Sequence, residues 1–122
     1  MKYTNRTFKI PTFKDERGLL TVIEDSLPFN IKRIYWIYAA DNKTRGGHRH
    51  KVTRQALLAI TGEVTLKINN GVKEELYILN DPSECILIEP EDWHSMTFGK
   101  NAVLIVFASH KYDKSDYINS NY

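Results

Sequence analysis

Two histidines separated by one residue lie within the segment RGGHRHKVTRQALLAITG, which runs from Arg45 to Gly62. In a β-strand, residues i and i+2 point to the same face. On a strand, the imidazoles of His48 and His50 would therefore enter the same space. The apolar run that follows and the glycine that ends it indicate a buried strand and a turn. This segment therefore predicts a strand whose two imidazoles face one cavity, although two exposed histidines on a strand would show the same spacing.

The rest of the chain repeats this strand-like pattern. Short segments rich in Val, Ile, Thr, Tyr and Phe recur at intervals of about ten residues, as in sandwiches and barrels. No helical period extends over a long window, so an all-β fold is predicted. A length of 122 residues suits one domain with one core. The first segment, Arg6 to Ile10, is expected to be an edge strand and a candidate for exchange with another subunit.

Composition argues against several classes of protein. Seventeen Lys and Arg against fifteen Asp and Glu leave a net charge of +2, which gives no general attraction to nucleic acid. Cys85 is the only cysteine, so it has no internal disulfide partner and is expected to be a buried structural thiol. Because the chain has no signal peptide and no membrane-spanning run, we expect a cytoplasmic protein without a membrane partner.

The spacing around the histidine pair is a more specific signal. Four residues separate His50 from Gln55, and six separate Gln55 from Gly62. This pattern resembles the first signature of the cupin barrels, in which Glu usually stands where this chain has Gln55. A carboxylate would complete an anionic metal site, whereas a neutral amide is a poor ligand. The pattern therefore favours acid-base chemistry by the imidazoles over the binding of a metal.

Two further segments supply candidates for the same cavity. The run NIKRIYWIYA is apolar on both faces, which predicts a strand with one face on a cavity and the other in a core. On that strand Tyr35 shares its face with Arg33 and Ile37. His94 follows a Pro-containing turn and approximately resembles the second cupin signature, with Asp92 where Gly is usual.

The last two segments of the chain give simpler predictions. The run VLIVFAS, from Val103 to Ser109, is predicted to be a strand that is buried on both faces. The polar tail HKYDKSDYINSNY is expected to lie outside the barrel, with His110 at the surface.

Five ordered motifs together resemble the nucleotide-sugar 3,4-ketoisomerases, which are small cupins related to the WxcM-like domain. The motifs are DERGLLTVIE, LPFNIKRIYWIY, RGGHRHKVTRQALLAITGEV, EDWHSM and ASHKYDKSDYI. The resemblance covers nearly the whole chain. It implies a single cupin domain with an RmlC-like jelly-roll barrel that acts on dTDP-4-keto-6-deoxyglucose without a cofactor.

The resemblance also implies roles for the histidine pair. His48 matches the principal catalytic histidine of the family and would remove the proton at C3 of the sugar. His50 would assist in proton relay or orientation, and Tyr35 would exchange a proton with the sugar oxygens. A proton returned to C4 of the enediol then leaves the ketone at C3.

Other positions concern the product and the nucleotide. Arg17 and His94 match the pair found in enzymes that give the galacto product (FdtA type), whereas enzymes of the gluco type carry Tyr and Arg there. The remaining candidates for substrate binding, chiefly at the diphosphate, are polar or basic: Arg33, Arg45, Lys51 and Gln55. The family implies a homodimer, and its product would be aminated to a 3-amino-3,6-dideoxyhexose for surface polysaccharide.

The residues alone do not exclude other functions. In a metal-dependent cupin enzyme, His48, His50 and His94 would be three ligands with an open fourth position. A non-catalytic sugar-binding cupin would bind its ligand without proton exchange. A 3,5-epimerase is a weaker alternative because the chain is short for that group.

Overall fold

The strands of this protein form two antiparallel five-stranded sheets and a separate hairpin. The computed structural model describes residues 6–122. The strands are β1 (Thr7–Lys9), β2 (Thr12–Asp15), β3 (Gly18–Thr21), β4 (Arg33–Ile37), β5 (Thr44–His50), β6 (Gln55–Thr61), β7 (Val64–Asn69), β8 (Glu74–Leu79), β9 (Glu84–Ile88), β10 (Trp93–Phe98), β11 (Val103–Ala108) and β12 (Tyr117–Ile118).

Strand order gives a two-layer architecture. The first sheet has the order β1-β9-β6-β11-β4, and the second has the order β12-β5-β10-β7-β8. Strands β2 and β3 pair only with each other, and one 3-10 turn (Lys114–Asp116) precedes β12. The predicted all-β fold is confirmed. Along residues 6–122, no helix is long and apolar enough to span a membrane.

The main core fills the space between the two sheets. On β7, Val64, Leu66 and Ile68 are buried, and the polar residues between them point outward, which is the period-2 pattern of a half-buried strand. Side chains from both sheets complete this core: Leu57, Ile86, Ile88, Leu104, Val106, Met96 and Phe98. Burial of each large apolar side chain contributes about 1.5–3 kcal/mol. This packing fixes β10, the strand that pairs with the histidine-bearing strand β5.

A second apolar cluster covers the outer face of the first sheet. It contains Ile10, Ala56, Leu58, Cys85, Leu87 and Phe107. Residues from the segment before β4, including Ile23, Leu27 and Phe29, pack against it. Burial raises the pKa of the Cys85 thiol to about 12, so this residue is the inert structural thiol that was predicted.

The outer face of β4 differs from the prediction. Its inner face, with Tyr35 and Ile37, packs against the main core as expected. The outward side chains of Ile34 and Trp36 are 50% and 60% exposed, so the prediction that both faces are covered, one by a cavity and one by a core, is wrong for this face of the described chain. Strand β4 is also the edge strand of its sheet, with β11 as its neighbour.

Candidate active site

A bulge in β5 places His48 opposite His94. In the β5–β10 ladder His94 pairs with His48, but the next residue, Ser95, pairs with Gly46, which leaves Gly47 as the extra residue. Gly46 and Gly47 have φ angles of 87° and 81°, in a region that favours glycine. Bulges redirect side chains and are common beside active sites. The Gly-Gly-His sequence thus aligns one histidine of the pair with a third histidine.

Three imidazoles meet as a result. The ring centroids of His48 lie 5.0 Å from those of both His50 and His94, and the last two rings are 6.0 Å apart. His50 and His94 are 3% and 1% exposed, whereas His48 is only partly buried. His48 is therefore the imidazole that is most open to a ligand.

The tail of the chain anchors His50. Oδ2 of Asp116 lies 3.0 Å from Nδ1 of His50 and accepts a second hydrogen bond from the hydroxyl of Thr53. Oδ1 of Asp116 accepts the backbone N–H groups of Lys51 and Val52. Nε2 of His50 is buried and has no hydrogen-bond partner in the described chain. The ring is thus held on one side and free on the other.

His94 is anchored by the turn that precedes it. Its Nδ1 lies 2.9 Å from the backbone carbonyl oxygen of Asp92. The side chain of Asp92 accepts two hydrogen bonds from the guanidinium of Arg6 and one from the backbone N–H of Glu89. Asp92, which stands where the cupin signature usually has glycine, therefore fastens this turn to Arg6, the residue just before β1.

Tyr117 packs against the histidine pair. The centroid of its ring lies 4.6 Å from those of both His48 and His50. Tyr117 belongs to β12, which pairs with β5 opposite His50 and Arg49. The prediction that the tail lies outside the barrel is therefore wrong for Asp116 and Tyr117, although His110 is exposed as predicted.

Tyr35 belongs to the neighbouring part of the cavity. Its hydroxyl accepts a hydrogen bond of 3.2 Å from Nε2 of Gln55, which is 2% exposed. The guanidinium of Arg33 stacks 4.4 Å above the Tyr35 ring and 5.5 Å from that of Tyr112. Burial raises the pKa of Tyr35, and the charge of Arg33 opposes this, so the phenol is neutral and can donate a proton at neutral pH.

Burial keeps the three imidazoles neutral. Desolvation and the neighbouring His50 lower the pKa of His48 to about 4, and desolvation lowers that of His94 to about 3. Desolvation also lowers the pKa of His50, against the opposing effect of Asp116. A neutral imidazole has one nitrogen that accepts a proton, so at neutral pH this cluster can act as a base.

Comparison with known proteins assigns the family. The family model described as FdtA: WxcM-like, C-terminal matches residues 3–122. The chain belongs to this FdtA family. A curated member, the TDP-4-oxo-6-deoxy-alpha-D-glucose-3,4-oxoisomerase of Aneurinibacillus thermoaerophilus, is 33% identical over 118 residues, which cover 93% of this chain and 85% of that protein. The protein is accordingly an isomerase.

Solved structures agree with this assignment. The QdtA 3,4-ketoisomerase of Thermoanaerobacterium thermosaccharolyticum matches with a TM-score of 0.91 and 40% identity, over 98% of this chain and 90% of that chain. That structure is a double mutant, with Tyr replaced by Arg and Arg by His, in complex with TDP. A His-to-Asn mutant of QdtA, which is 37% identical to this chain with a TM-score of 0.91 and the same coverage, holds TDP-4-keto-6-deoxyglucose.

A more distant structure supports the fold class alone. The RmlC 3,5-epimerase of Legionella pneumophila has a TM-score of 0.79 at 13% identity, over 92% of this chain and 70% of that chain. The FdtA-family chain therefore has the predicted RmlC-like cupin fold.

The site does not gather every candidate that the sequence suggested. Arg45 is exposed on β5 and interacts electrostatically with Tyr35, and Lys51 is exposed just beyond β5. Arg17 lies at the tip of the β2–β3 hairpin, where its 85% exposed side chain forms an ion pair of 2.6 Å with Asp15. Within the described chain, Arg17 has no contact with the histidine cluster.

The histidine cluster is also a possible metal site. Ring nitrogens of His48, His50 and His94 lie within 4.8 Å of one another, so the three could hold a divalent transition metal. The carboxylate that a cupin signature would add is absent here, because Gln55 occupies its position and donates to Tyr35. The described residues therefore offer imidazoles alone as ligands.

Sequence reasoning missed four residues that position the histidines. These are Arg6, Thr53, Asp116 and Tyr117. Asp116 and Tyr117 lie within ASHKYDKSDYI, one of the motifs of the family resemblance. That motif was a signal, but an isolated Asp in a polar tail looks the same as a solvated one.

Proposed function

We propose that this protein is a sugar 3,4-ketoisomerase that converts TDP-4-keto-6-deoxy-D-glucose to TDP-3-keto-6-deoxy-D-galactose. The observation that carries the proposal is the pair of imidazoles, His48 and His50, that a single strand places with their ring centroids 5.0 Å apart. The substrate class follows from the Aneurinibacillus relative and from the ligands of the QdtA structures.

The reaction needs only proton transfers. Removal of the proton at C3, which the neighbouring C4 carbonyl acidifies, gives an enediolate. A proton then moves from O3 to O4, and a proton added to C4 leaves the ketone at C3. No electrons enter or leave the sugar, so neutral imidazoles and phenols can supply all of these steps.

His48 is the base at C3 in this proposal. It is the most accessible of the three imidazoles, and its lowered pKa of about 4 keeps it neutral at pH 7. His50, whose Nε2 is free, relays the proton between the two sugar oxygens. Tyr35, with its raised pKa, donates a hydrogen bond to the developing enediolate.

The galacto product is proposed from two residue types. His94 lies in the imidazole cluster, where it would influence the face on which C4 receives its proton. The QdtA double mutant acquired an arginine and a histidine, which are the residue types of Arg17 and His94 here. Since O4 is axial in a galacto sugar and equatorial in a gluco sugar, the coupling constants at C4 distinguish the products.

Basic residues near the cavity are the candidates for the diphosphate. Arg33 is held between Tyr35 and Tyr112, which fixes its guanidinium for a bidentate contact with phosphate oxygens. Arg45 and Lys51 add positive charge from β5 and the bend that follows it.

The working unit is a homodimer in this proposal. The β2–β3 hairpin exposes Phe13, Leu19 and Leu20, and β4 exposes Ile34 and Trp36. Two exposed apolar surfaces on one chain can cover each other when two copies exchange the hairpin. That exchange would carry Arg17 away from its own chain and onto the partner subunit.

The product indicates which kind of reaction would follow this one. A C3 ketone is the functional group that an aminotransferase converts to an amine, so a 3-amino-3,6-dideoxyhexose would follow. We place this step in the cytoplasm, where the buried free thiol of Cys85 would remain reduced.

Proton NMR in D2O tests the proposal. Metal-free protein incubated with TDP-4-keto-6-deoxyglucose should produce a 3-keto sugar that carries deuterium at C4, with the couplings of an axial O4. His48→Asn should lose this activity by about a hundredfold or more and still bind TDP. Turnover retained by His48→Asn would contradict its assignment, and an equatorial O4 would contradict the galacto product.

A metal-dependent cupin enzyme is the second candidate, because three imidazoles converge. It predicts a stoichiometric transition metal in the purified protein and loss of turnover on chelation. A sugar-binding protein without activity would bind the nucleotide sugar and exchange no proton at C3. Activity of the metal-free protein would exclude both alternatives.

A further inference from the structure

Asp116 is placed unusually for an acidic residue near the end of a chain. It is 6% exposed and accepts hydrogen bonds from four donors. The two backbone N–H groups at Oδ1 can only donate, and the hydroxyl of Thr53 and Nδ1 of His50 occupy Oδ2, so no position is left for a proton on this carboxyl. Asp116 is therefore an ionised carboxylate, which accepts hydrogen bonds and donates none.

This charge state determines which nitrogen of His50 carries the proton. An ionised carboxylate 3.0 Å from Nδ1 requires a proton on Nδ1. In a neutral imidazole the other nitrogen, Nε2, then has the lone pair. Nε2 is buried without a protein partner, which is the condition of an atom that is reserved for a ligand.

We infer that Asp116 is a positioning residue that holds His50 in the Nδ1–H tautomer, so that Nε2 is the atom that receives a proton from the substrate. The inference deepens the proposed function and rests on it. The residues around His50 that carry titratable or charged groups are His48, His94, Tyr117, Arg33 and Asp116. Among the described residues, only Asp116 brings a carboxylate into contact with the ring of His50.

The tautomer fits a proton relay between the two sugar oxygens. The O3–H bond breaks as a bond from Nε2 to the proton forms, which gives an imidazolium. The carboxylate of Asp116 stabilises that cation through Nδ1–H. The Nε2–H bond then breaks as O4 receives the same proton, so His50 returns to its neutral state and the C3-to-C4 transfer is left to His48.

Asp116→Asn is a specific test because its hydrogen bonds fix the orientation of the new amide. The backbone N–H groups of Lys51 and Val52 both point at Oδ1, so the amide oxygen must take that place. The NH2 group then faces Thr53 and His50. Since the hydroxyl of Thr53 can accept, the change forces Nδ1 of His50 to accept as well, and the proton moves to Nε2.

The experiment compares wild type, Asp116→Asn and a matched control, Asp113→Asn. Asp113 caps the same 3-10 turn from an exposed position, and Asn is also a good cap. Long-range proton–nitrogen NMR of the free proteins reads the tautomer of His50, TDP binding confirms folding, and conversion of TDP-4-keto-6-deoxyglucose gives kcat.

We expect the Nδ1–H tautomer in wild type and in Asp113→Asn, and the Nε2–H tautomer in Asp116→Asn. The kcat of Asp116→Asn should fall by about a hundredfold or more with TDP binding retained, because Nε2 can no longer accept a proton. A wild-type Nε2–H tautomer, an unchanged tautomer in Asp116→Asn or a wild-type kcat in that variant would each overturn the inference. A wild type that reads Nδ1–H but converts no sugar would instead overturn the proposed function.

Discussion

His94 shows at the residue scale how burial sets the chemistry of the site. The residue is 1% exposed, and its ring donates from Nδ1 to the backbone of Asp92. Protonation of this ring would place a positive charge beside His48 and His50 without a carboxylate in contact. Burial is the main cause that lowers its pKa to about 3 and the neighbouring histidines add to it, whereas His50 has Asp116 as a counter-charge.

His94 should make the protein sensitive to acid. Its pKa is about 3 in the folded protein and close to 6.5 in the unfolded chain, so its contribution to stability is complete above pH 6.5 and is lost as the pH falls towards 3. Over that window one such histidine adds a slope of about 1.4 kcal/mol per pH unit to the free energy of unfolding. Urea unfolding of His94→Gln between pH 7 and about 4 should show a shallower slope than wild type.

His110→Gln is the control for this measurement. His110 is exposed and lies outside the imidazole cluster, so its loss should leave the slope unchanged. Equal slopes for wild type and His94→Gln would mean that His94 is protonated in the folded protein.

The sequence predicted these residues unevenly. His48 and His50 were predicted to share one cavity because a two-residue spacing has a single outcome on a strand. The residues that orient them were missed, since Asp116 is 66 positions from His50 and no local pattern joins the two. Spacing predicts which side chains share a face, but a contact between distant segments depends on the fold.

At the scale of elements, β5 is the strand on which the site depends. Its bulge at Gly47 aligns His48 with His94, and its outer edge pairs with β12. A Cβ added to Gly46 would lie 2.9 Å from the carbonyl oxygen of His94 and from the sulfur of Met96. A Cβ added to Gly47 would meet no atom within 4 Å.

Alanine at these two glycines should therefore have unequal effects. Both positions have positive φ, so each substitution costs about 1–2 kcal/mol in backbone strain. Gly46→Ala should cost more, and should reduce kcat further, because β5 must also move away from β10. Urea unfolding of the two variants measures the difference. A larger loss of stability in Gly47→Ala would contradict the close approach at Gly46.

The strands also differed in how well the sequence predicted them. The run from Val103 to Ser109 was predicted to be one strand, and it coincides with β11, Val103–Ala108. Strand β12 has only two residues, so it has no period to detect, and its pairing depends on the neighbouring edge of β5. A strand of this length can be recognised only when the sheet beside it is known.

At the scale of the whole molecule, the fold of a single chain does not explain why large apolar side chains are exposed. Trp36 is 60% exposed and Leu19 is 72% exposed, on two elements that have no described cover. The sequence predicted the apolar character of β4 correctly, but it could not tell whether this chain or a partner subunit buries the outer face. If two subunits share each site, the partner subunit would cover the apolar face of β4. It would also bring Arg17 to the histidines.

Arg17→Ala should form no galacto product and His48→Asn should not turn over, so co-expression of these two variants, each inactive in galacto-product formation, tests whether the site is shared. If Arg17 acts in the partner's site, a hybrid dimer of Arg17→Ala and His48→Asn has one site with both defects and one with neither. Random pairing should then restore about a quarter of wild-type activity. Light scattering checks that the variants are dimers. If co-expressed variants remain as inactive as each variant alone, Arg17 does not act across the dimer.

The position of β12 has a consequence for synthesis. β12 is the last of the described strands to leave the ribosome, and its partner β5 is made long before it. Until β12 arrives, the edge of β5 beside His50 presents unpaired backbone groups that other nascent chains can pair with. The tail therefore closes an edge of β5 as well as holding His50, and the site is complete only after the tail has been made.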